Sequence, residues 1–269
     1  MEFLAPDAFF NLESDPHQEL FDGCRYVWEV FSQLGPYLKA KLRSNVRDVA
    51  CFRQPLPYTL VIWKGRVWRE DIAFLGGDVT KGTFTVRIAG EVTTAAVVLY
   101  AGSILWDEEI TLGSGSVVEP GALIKGPTLI GARTEVRQGA YIRGQCIVGD
   151  GCIVGHTTEM KSSVMLNGAK AGHFAYVGDS ILGHESNLGA GTKLANLRMK
   201  GDEVKIPIGD GLISTGLRKF GAVVGDRGEL GCNVVTNPGT LLGKDCSVFP
   251  TISVRPGYYA PGTFIRSAN

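Results

Sequence analysis

The 269-residue sequence contains no apolar run near the roughly 18 residues that cross a bilayer, so no membrane-spanning helix is expected. Its first residues, MEFLAPDAFFNLESD, lack a basic stretch followed by an apolar one, which argues against a secretory signal and for the cytoplasm. Neither sign of charge is in excess: 27 Lys plus Arg meet 27 Asp plus Glu. That balance points away from nucleic acid and anionic membrane surfaces as partners. The six cysteines, Cys24, Cys51, Cys146, Cys152, Cys232 and Cys246, form no CxxC pair, so no zinc or other metal site is expected. They read as reduced, structural thiols. Helical periodicity is also scarce beyond the first 45 residues.

Glycine, by contrast, is abundant: 36 residues, about twice the usual 7%. Such a surplus implies many tight corners. The corners belong to a repeat. Stepping by six from Leu112 gives Leu112, Val118, Ile124, Ile130, Val136, Ile142, Val148, Val154, Met160 and Leu166, all apolar. Four places after each of the first nine stand Ser116, Ala122, Thr128, Thr134, Ala140, Cys146, Cys152, Thr158 and Val164, all small or β-branched. A period of six is neither the 3.6 of a helix nor the 2 of a simple strand. It describes short strands joined by sharp corners, with the large residue filling a prism and the small one letting the chain turn. Three such strands make a coil of 18 residues in a parallel β-helix.

The phase slips after Leu166, where the next inward residues read as Ala171, Val177 and Leu182, then returns to six at Leu188 and Leu194. It reappears at Val224, Leu230, Leu242 and Val248, with Thr236 in step. The stretch 195–219 lacks the pattern and reads as an extruded loop, and long loops of that kind are usually functional or disordered. Upstream, Asp15, Pro16 and Gln18 read as the N-cap, first residue and capping-box partner of a helix whose apolar stripe is Leu20, Cys24, Trp28 and Phe31. Gly35-Pro36 is expected to break it, with a second short helix to about Arg43. The organisation expected is therefore mainly β: residues 1–99 a helical segment plus short strands leading in, 100–256 the β-helix, and 257–269 a tail outside the repeat.

Residues 18 apart lie above one another at the strand spacing of about 4.8 Å. Lys125, Arg143 and Lys161 are spaced in that way and each follows an inward aliphatic residue, so they form an outward basic ladder. Like charges at such spacing repel by roughly 0.8 kcal/mol per neighbour in water. The ladder is either a solvated face or a site for an anion such as phosphate. His156 and His173 each stand two places after an inward residue and 17 apart, one shortened coil, so they are expected to stack. A histidine is the usual general base near neutral pH.

Four blocks, GHFAYVGDS at 172–180, NLGAGT at 187–192, ANLR at 195–198 and TGLRKFGAVVGD at 215–226, together with Asn237-Pro238-Gly239, resemble one family. It is the hexapeptide-repeat acyltransferases, and within it the C-terminal acetyltransferase domain of bifunctional sugar-1-phosphate nucleotidylyltransferases of nucleotide-sugar biosynthesis. The resemblance covers about 100–256 and implies a left-handed parallel β-helix, a homotrimer, and acetyl-CoA as co-substrate. It implies that His173 is the catalytic base, and that Arg143, Lys161, Tyr176, Asn187, Asn196 and Lys205 bind an amino-sugar 1-phosphate. It also implies that the returning segment with Thr215, Arg218 and Lys219 lies near the acyl-CoA groove. Asp202 stands where relatives of the archaeal type carry the first of two lysines, which leaves the acceptor open. No Gly-rich nucleotidyltransferase loop is found, so no nucleotide-sugar synthesis is expected from this chain. The competing readings are a trimeric scaffold without turnover, and a protein that binds a sugar phosphate or nucleotide sugar without transfer.

Overall fold

The structure, a computed structural model, describes residues 2–267. Three parallel sheets run the length of a prism, each adding one short strand per coil. The front sheet has eight strands, from Ile104–Leu105 through Tyr141–Ile142, Glu159–Lys161 and Tyr176–Gly178 to Ser253–Val254. The covered sheet also has eight, from Ile110–Leu112 to Gly257–Tyr259. The long sheet has eleven and ends at Phe264–Ile265. Strand pairing therefore continues through Thr240↔Gly257 and Ser247↔Phe264, past residue 256 where the sequence pattern fades. At the other end, Leu60–Trp63 and Arg66–Trp68 join the long sheet antiparallel and close the first coil. Ile72–Gly76, Thr85–Ile88 and Glu91–Thr93 form a small antiparallel sheet beside it. Among the described residues no helix is long and apolar enough to cross a membrane.

The six-residue rows line the prism. Ile124, Ile142, Met160, Val177, Leu194 and Thr236 pair in one column, and Val118, Val136, Val154, Ala171, Leu188, Leu230 and Val248 in another. In the third column Val148 pairs with Met165, not with Leu166. The first shortened step is thus Met160 to Met165, one hexapeptide earlier than the sequence places it. Both residues are fully buried, but on opposite sides of one strand: Met165 joins the prism interior, while Leu166 joins a second core outside it. Hydroxyls at the small inward positions are satisfied by the neighbouring coil. Ser116 donates to the Gly131 carbonyl at 2.6 Å, Thr134 to Gly149 at 2.8 Å and Thr158 to Ala171 at 3.0 Å. Burial pushes the Cys146 and Cys152 thiols up to about 12. All six cysteines are free; Cys232 alone is exposed, so it is not a core thiol.

Thr236 breaks the aliphatic column between Leu194 and Val254, and its Oγ1 is buried without a hydrogen-bond partner. A buried hydroxyl left unpaired costs about 1–3 kcal/mol. Thr236→Val keeps the shape and removes the polar atom. It is expected to raise the urea midpoint by the equivalent of about 1 kcal/mol.

The second core explains the N-terminal segment. Leu129, Ile147, Val164, Ile181, Val223 and Leu241 stack outward on the covered sheet, each in the coil after the last. Phe9, Phe10, Trp28, Leu34 and Leu38 cover them, with Phe220 from the returning loop. At about 1.5–3 kcal/mol per fully buried aliphatic side chain, six of them make this docking worth of the order of 10 kcal/mol before entropy is counted. The local conformation differs from the sequence expectation. Only a 3₁₀ turn, Gln18–Phe21, follows Asp15-Pro16-His17, because Gly23 turns the chain with φ 75°. The helix begins at Val30, after Glu29 Oε2 accepts the Arg25 and Tyr26 N–H groups at 2.7 and 3.0 Å. It runs unbroken through Gly35-Pro36 to Lys41. Burial of Val30, Leu34 and Leu38 on the covered sheet outweighs the hydrogen bond that Pro36 forfeits.

A buried ion cluster fastens this segment. His184 Nε2 lies 2.7 Å from Asp15 Oδ2, and its Nδ1 lies 3.0 Å from Asp226 Oδ1. Asp226 also accepts the Asn11 N–H at 2.7 Å and the His184 N–H at 2.8 Å. Burial alone would lower the His184 imidazole, but the two carboxylates outweigh it and raise it to about 9. Burial likewise opposes the Asp15 carboxylate, yet hydrogen bonds from His184 and the His17 N–H hold it below the usual range.

Candidate active site

Two successive corners between the long and front sheets carry the histidines. Gly155-His156-Thr157 and Gly172-His173-Phe174 stack with His156 opposite His173, as the 17-residue spacing predicts. The glycine is required here: a Cβ at Gly155 would sit 1.7 Å from the Gly172 carbonyl oxygen. Thr157 and Phe174 then turn the chain in the left-handed region, each with φ 52°. Phe174 N–H donates to the His156 carbonyl at 2.8 Å, and Gly191 N–H to the His173 carbonyl at 3.0 Å, so both corners are pinned. His156 Nδ1 lies 3.0 Å from the Gln138 carbonyl, which can only accept; in the neutral ring Nε2 is therefore the unprotonated nitrogen. The His173 ring is exposed and engages in no hydrogen bond among the described residues. Phe174 packs edge-on to His156, with centroids 5.2 Å apart, and is itself exposed.

Beside His173 the front sheet presents Tyr176, which pairs with Glu159 of the preceding coil. A compact polar network lies next to it. Lys161 Nζ is 2.9 Å from Asp179 Oδ2, with both side chains largely buried. Asn196 Nδ2 donates to the same carboxylate oxygen. Burial raises the Tyr176 hydroxyl, keeping it neutral beside Lys161, Asp179 and Asn196. Asp179 is the hub of this network. It lies inside the GHFAYVGDS block, and the sequence reading gave it no role. Its position was legible at Lys161 plus 18. The register slip sets Gly178 on the ladder rung and Asp179 just beyond, where a counter-charge meets Lys161.

The ladder is real in geometry and unlike the expectation in electrostatics. Arg143 is 2.7 Å from Glu159, so the rungs at 143 and 161 are both ion-paired. Lys125 has no carboxylate within 4.0 Å among the described residues; it lies 4.5 Å from the Trp106 ring centroid and 5.4 Å from that of Tyr141. Uncancelled positive charge therefore sits at the far end of the ladder.

The remaining site residues divide. Asn187 is on the long sheet, pairs with Lys170 and Glu229, and donates to Glu229 Oε2 at 3.0 Å, outside the Lys161 network. The loop at 195–219 is pinched by a bridge between Leu197 and Lys219 and contains a hairpin, Lys205–Ile208 with Gly211–Ser214. Between hairpin and coil is a cavity of about 510 Å³, lined by Leu197, Arg198, Met199, Lys205, Leu212 and Pro238 among others. Lys205 therefore faces this cavity. Thr215, Arg218 and Lys219 are not among its lining residues. Thr215 Oγ1 donates to the Val204 carbonyl at 2.6 Å and Arg218 Nε to the Gly201 carbonyl at 3.0 Å, so both close the neck of the loop. Asp202 is 3.1 Å from Arg198 and reduces the positive charge at the cavity.

The GMPPB C-terminal domain family matches residues 124–214. The chain is 36% identical over 149 residues to a bifunctional sugar-1-phosphate nucleotidylyltransferase/acetyltransferase of Sulfurisphaera tokodaii, covering 55% of this chain and 36% of that protein. It thus spans about a third of that relative's length. It is 31% identical over 157 residues to the putative uncharacterized acetyltransferase YaiX of Escherichia coli K12, covering 57% of this chain and 68% of that one. Among solved structures, a UDP-N-acetylglucosamine acyltransferase from Campylobacter jejuni matches with a TM-score of 0.37 and 16% identity, covering 60% of this chain and 69% of that one.

Proposed function

We propose a reaction from the premise that this chain belongs to the hexapeptide-repeat acyltransferases: it transfers the acetyl group of acetyl-CoA to the amine of an amino-sugar 1-phosphate. The observation that carries this reading is the juxtaposition at one corner of the exposed His173 with Tyr176 and the Lys161–Asp179–Asn196 network. The acceptor amine attacks the thioester carbonyl, forming the C–N bond as the carbonyl electrons move to oxygen. His173 takes the amine proton. Collapse of the tetrahedral adduct breaks the C–S bond, and the departing CoA thiolate is protonated in turn by the imidazolium. Lys161 and Arg143 meet the acceptor's phosphate by exchanging their carboxylate partners for it, and Tyr176 and Asn196 orient the sugar. Lys205, at the cavity under the hairpin, suits an anionic end of CoA. A homotrimer in the cytoplasm is part of the same reading.

The test is a thiol-release assay with acetyl-CoA against a panel of hexosamine 1-phosphates. An acceptor-dependent release of CoA thiol is the expected result; none from any amine-bearing acceptor sinks transfer and leaves the scaffold. With a working acceptor, Lys161→Ala is expected to raise KM by the equivalent of about 1.5–3 kcal/mol, the worth of one hydrogen bond to a charged group. Because Asp179 would then be left buried without its counter-charge, Asp179→Asn in the same background is the control. It is expected to recover melting temperature but not KM.

A further inference from the structure

One cation beside the His173 corner stands apart from the basic ladder. Lys193 lies outward on the front sheet and pairs with Tyr176 on one side and Val235 on the other. It is one coil spacing, about 4.8 Å, from Tyr176, on the side away from Lys161. Its Nζ turns back toward the corner and donates to the Gly191 carbonyl at 2.7 Å. Gly191 N–H in turn donates to the His173 carbonyl at 3.0 Å. The ammonium is thus carried on the turn that stacks directly on His173. No carboxylate lies within 4.0 Å of it among the described residues, and a neutral carbonyl leaves its charge uncancelled. An ammonium has three N–H donors, so more than one is left over.

The same strand leads to the cavity under the hairpin, whose lining includes Ala195, two residues after Lys193. With the anionic end of CoA in that cavity and the thioester at His173, the acyl carbonyl passes Lys193. Backbone donors on this side of the corner are committed. The N–H groups of Phe174, Tyr176 and Gly191 donate to the His156, Thr192 and His173 carbonyls, and that of Ala175 to Thr158 Oγ1. Resting on the acyl-transfer reading, we propose that Lys193 is a further catalytic residue, its ammonium donating to the oxygen of the tetrahedral adduct. As the amine attacks, the carbonyl π electrons move onto that oxygen, and Lys193 hydrogen-bonds to it while keeping its own proton. When the electron pair returns, the C=O bond re-forms, the C–S bond breaks, and the thiolate takes the proton that His173 carried. Lys193 is exposed in the free protein. The two substrates exclude water from it, which strengthens its interaction where the negative charge develops.

Steady-state kinetics of the full chain test this. Lys193→Ala and Lys193→Met are expected to lower kcat by about 10²–10³, the effect of removing one preorganised donor to an oxyanion. KM for acetyl-CoA and for the acceptor should stay within about twofold, because the interaction is made only in the transition state. Lys193→Arg, which keeps a cationic donor, should recover at least about tenfold of the loss. Slow hydrolysis of acetyl-CoA without acceptor passes through an adduct with the same oxygen, so Lys193→Ala should lower it by the same factor. A parental kcat in both Lys193→Ala and Lys193→Met overturns the proposal. A raised KM with unchanged kcat also overturns it, since Lys193 would then only bind substrate. The two readings fail separately. Thiol release that no acceptor accelerates, but that depends on Lys193, sinks the amino-sugar reading and leaves the role of Lys193 standing. Transfer and hydrolysis that are indifferent to Lys193 sink this proposal alone, and a parent that shows neither sinks both.

Discussion

Purified His173→Ala is expected to lose turnover by about 10²–10⁴, the scale for removing a positioned acid–base group. The side chain is exposed and makes no hydrogen bond among the described residues, so its loss should leave the melting temperature within about 1 °C. His156→Ala is expected to be milder. That ring is held by the Gln138 carbonyl and stands a coil away from Tyr176. The comparison of the two variants is informative because His156 has the better-defined tautomer. If His156→Ala loses turnover and His173→Ala keeps parental kcat with a verified acceptor, the base belongs to the lower corner.

The second large effect is on stability. Asp226 is 1% exposed and accepts from Asn11 N–H, His184 N–H and the His184 ring. Asp226→Ala strips one partner from a buried ion cluster and is expected to cost about 3–5 kcal/mol, seen as a lower urea midpoint. The same cluster sets a pH window. His184 binds its proton more tightly folded, at about 9, than at the ordinary 6.5 of an unfolded chain. Its contribution is present in full below about pH 6.5 and is lost as pH rises through about 9. Asp15 is shifted the other way, below 3.8, so its contribution is present above that value and is lost as pH falls beneath it. Stability should therefore plateau between these limits. Unfolding midpoints that stay level from about pH 6 to 10 would show that His184 does not titrate with folding.

The prism interior was legible because every inward site must hold an aliphatic or small residue, whatever surrounds the coil. The outer apolar stack was equally regular, at Leu129, Ile147, Val164, Ile181, Val223 and Leu241, but it repeats once per coil rather than once per strand. Its steps are 18, 17, 17, 42 and 18 residues, so the face that something must cover shows only once the coils are aligned with their slips and the extruded loop. The inward residue was misplaced by one, and the slip with it by one hexapeptide, because Met165 and Leu166 are both apolar and buried, and which side each occupies depends on the covering segment. Helix signals at Asp15 and Pro36 were overridden by Gly23 and by packing on that stack. In the candidate site the histidine stacking followed from spacing alone. The pairing of Lys161 with Asp179, and of Arg143 with Glu159, did not, since side-chain partners across coils depend on where the slip falls.

The fastening of Asp15 to His184 spans 169 residues, and that of Asn11 to Asp226 spans 215. The apolar stack that Phe9, Phe10 and Trp28 help to cover is complete only when the coils carrying Val223 and Leu241 are in place. Each coil, in contrast, finds its neighbour within about 18 residues. Contacts between coils are thus cheap to close and those of the covering segment costly, so the segment is expected to seat as a final locking step on a finished column.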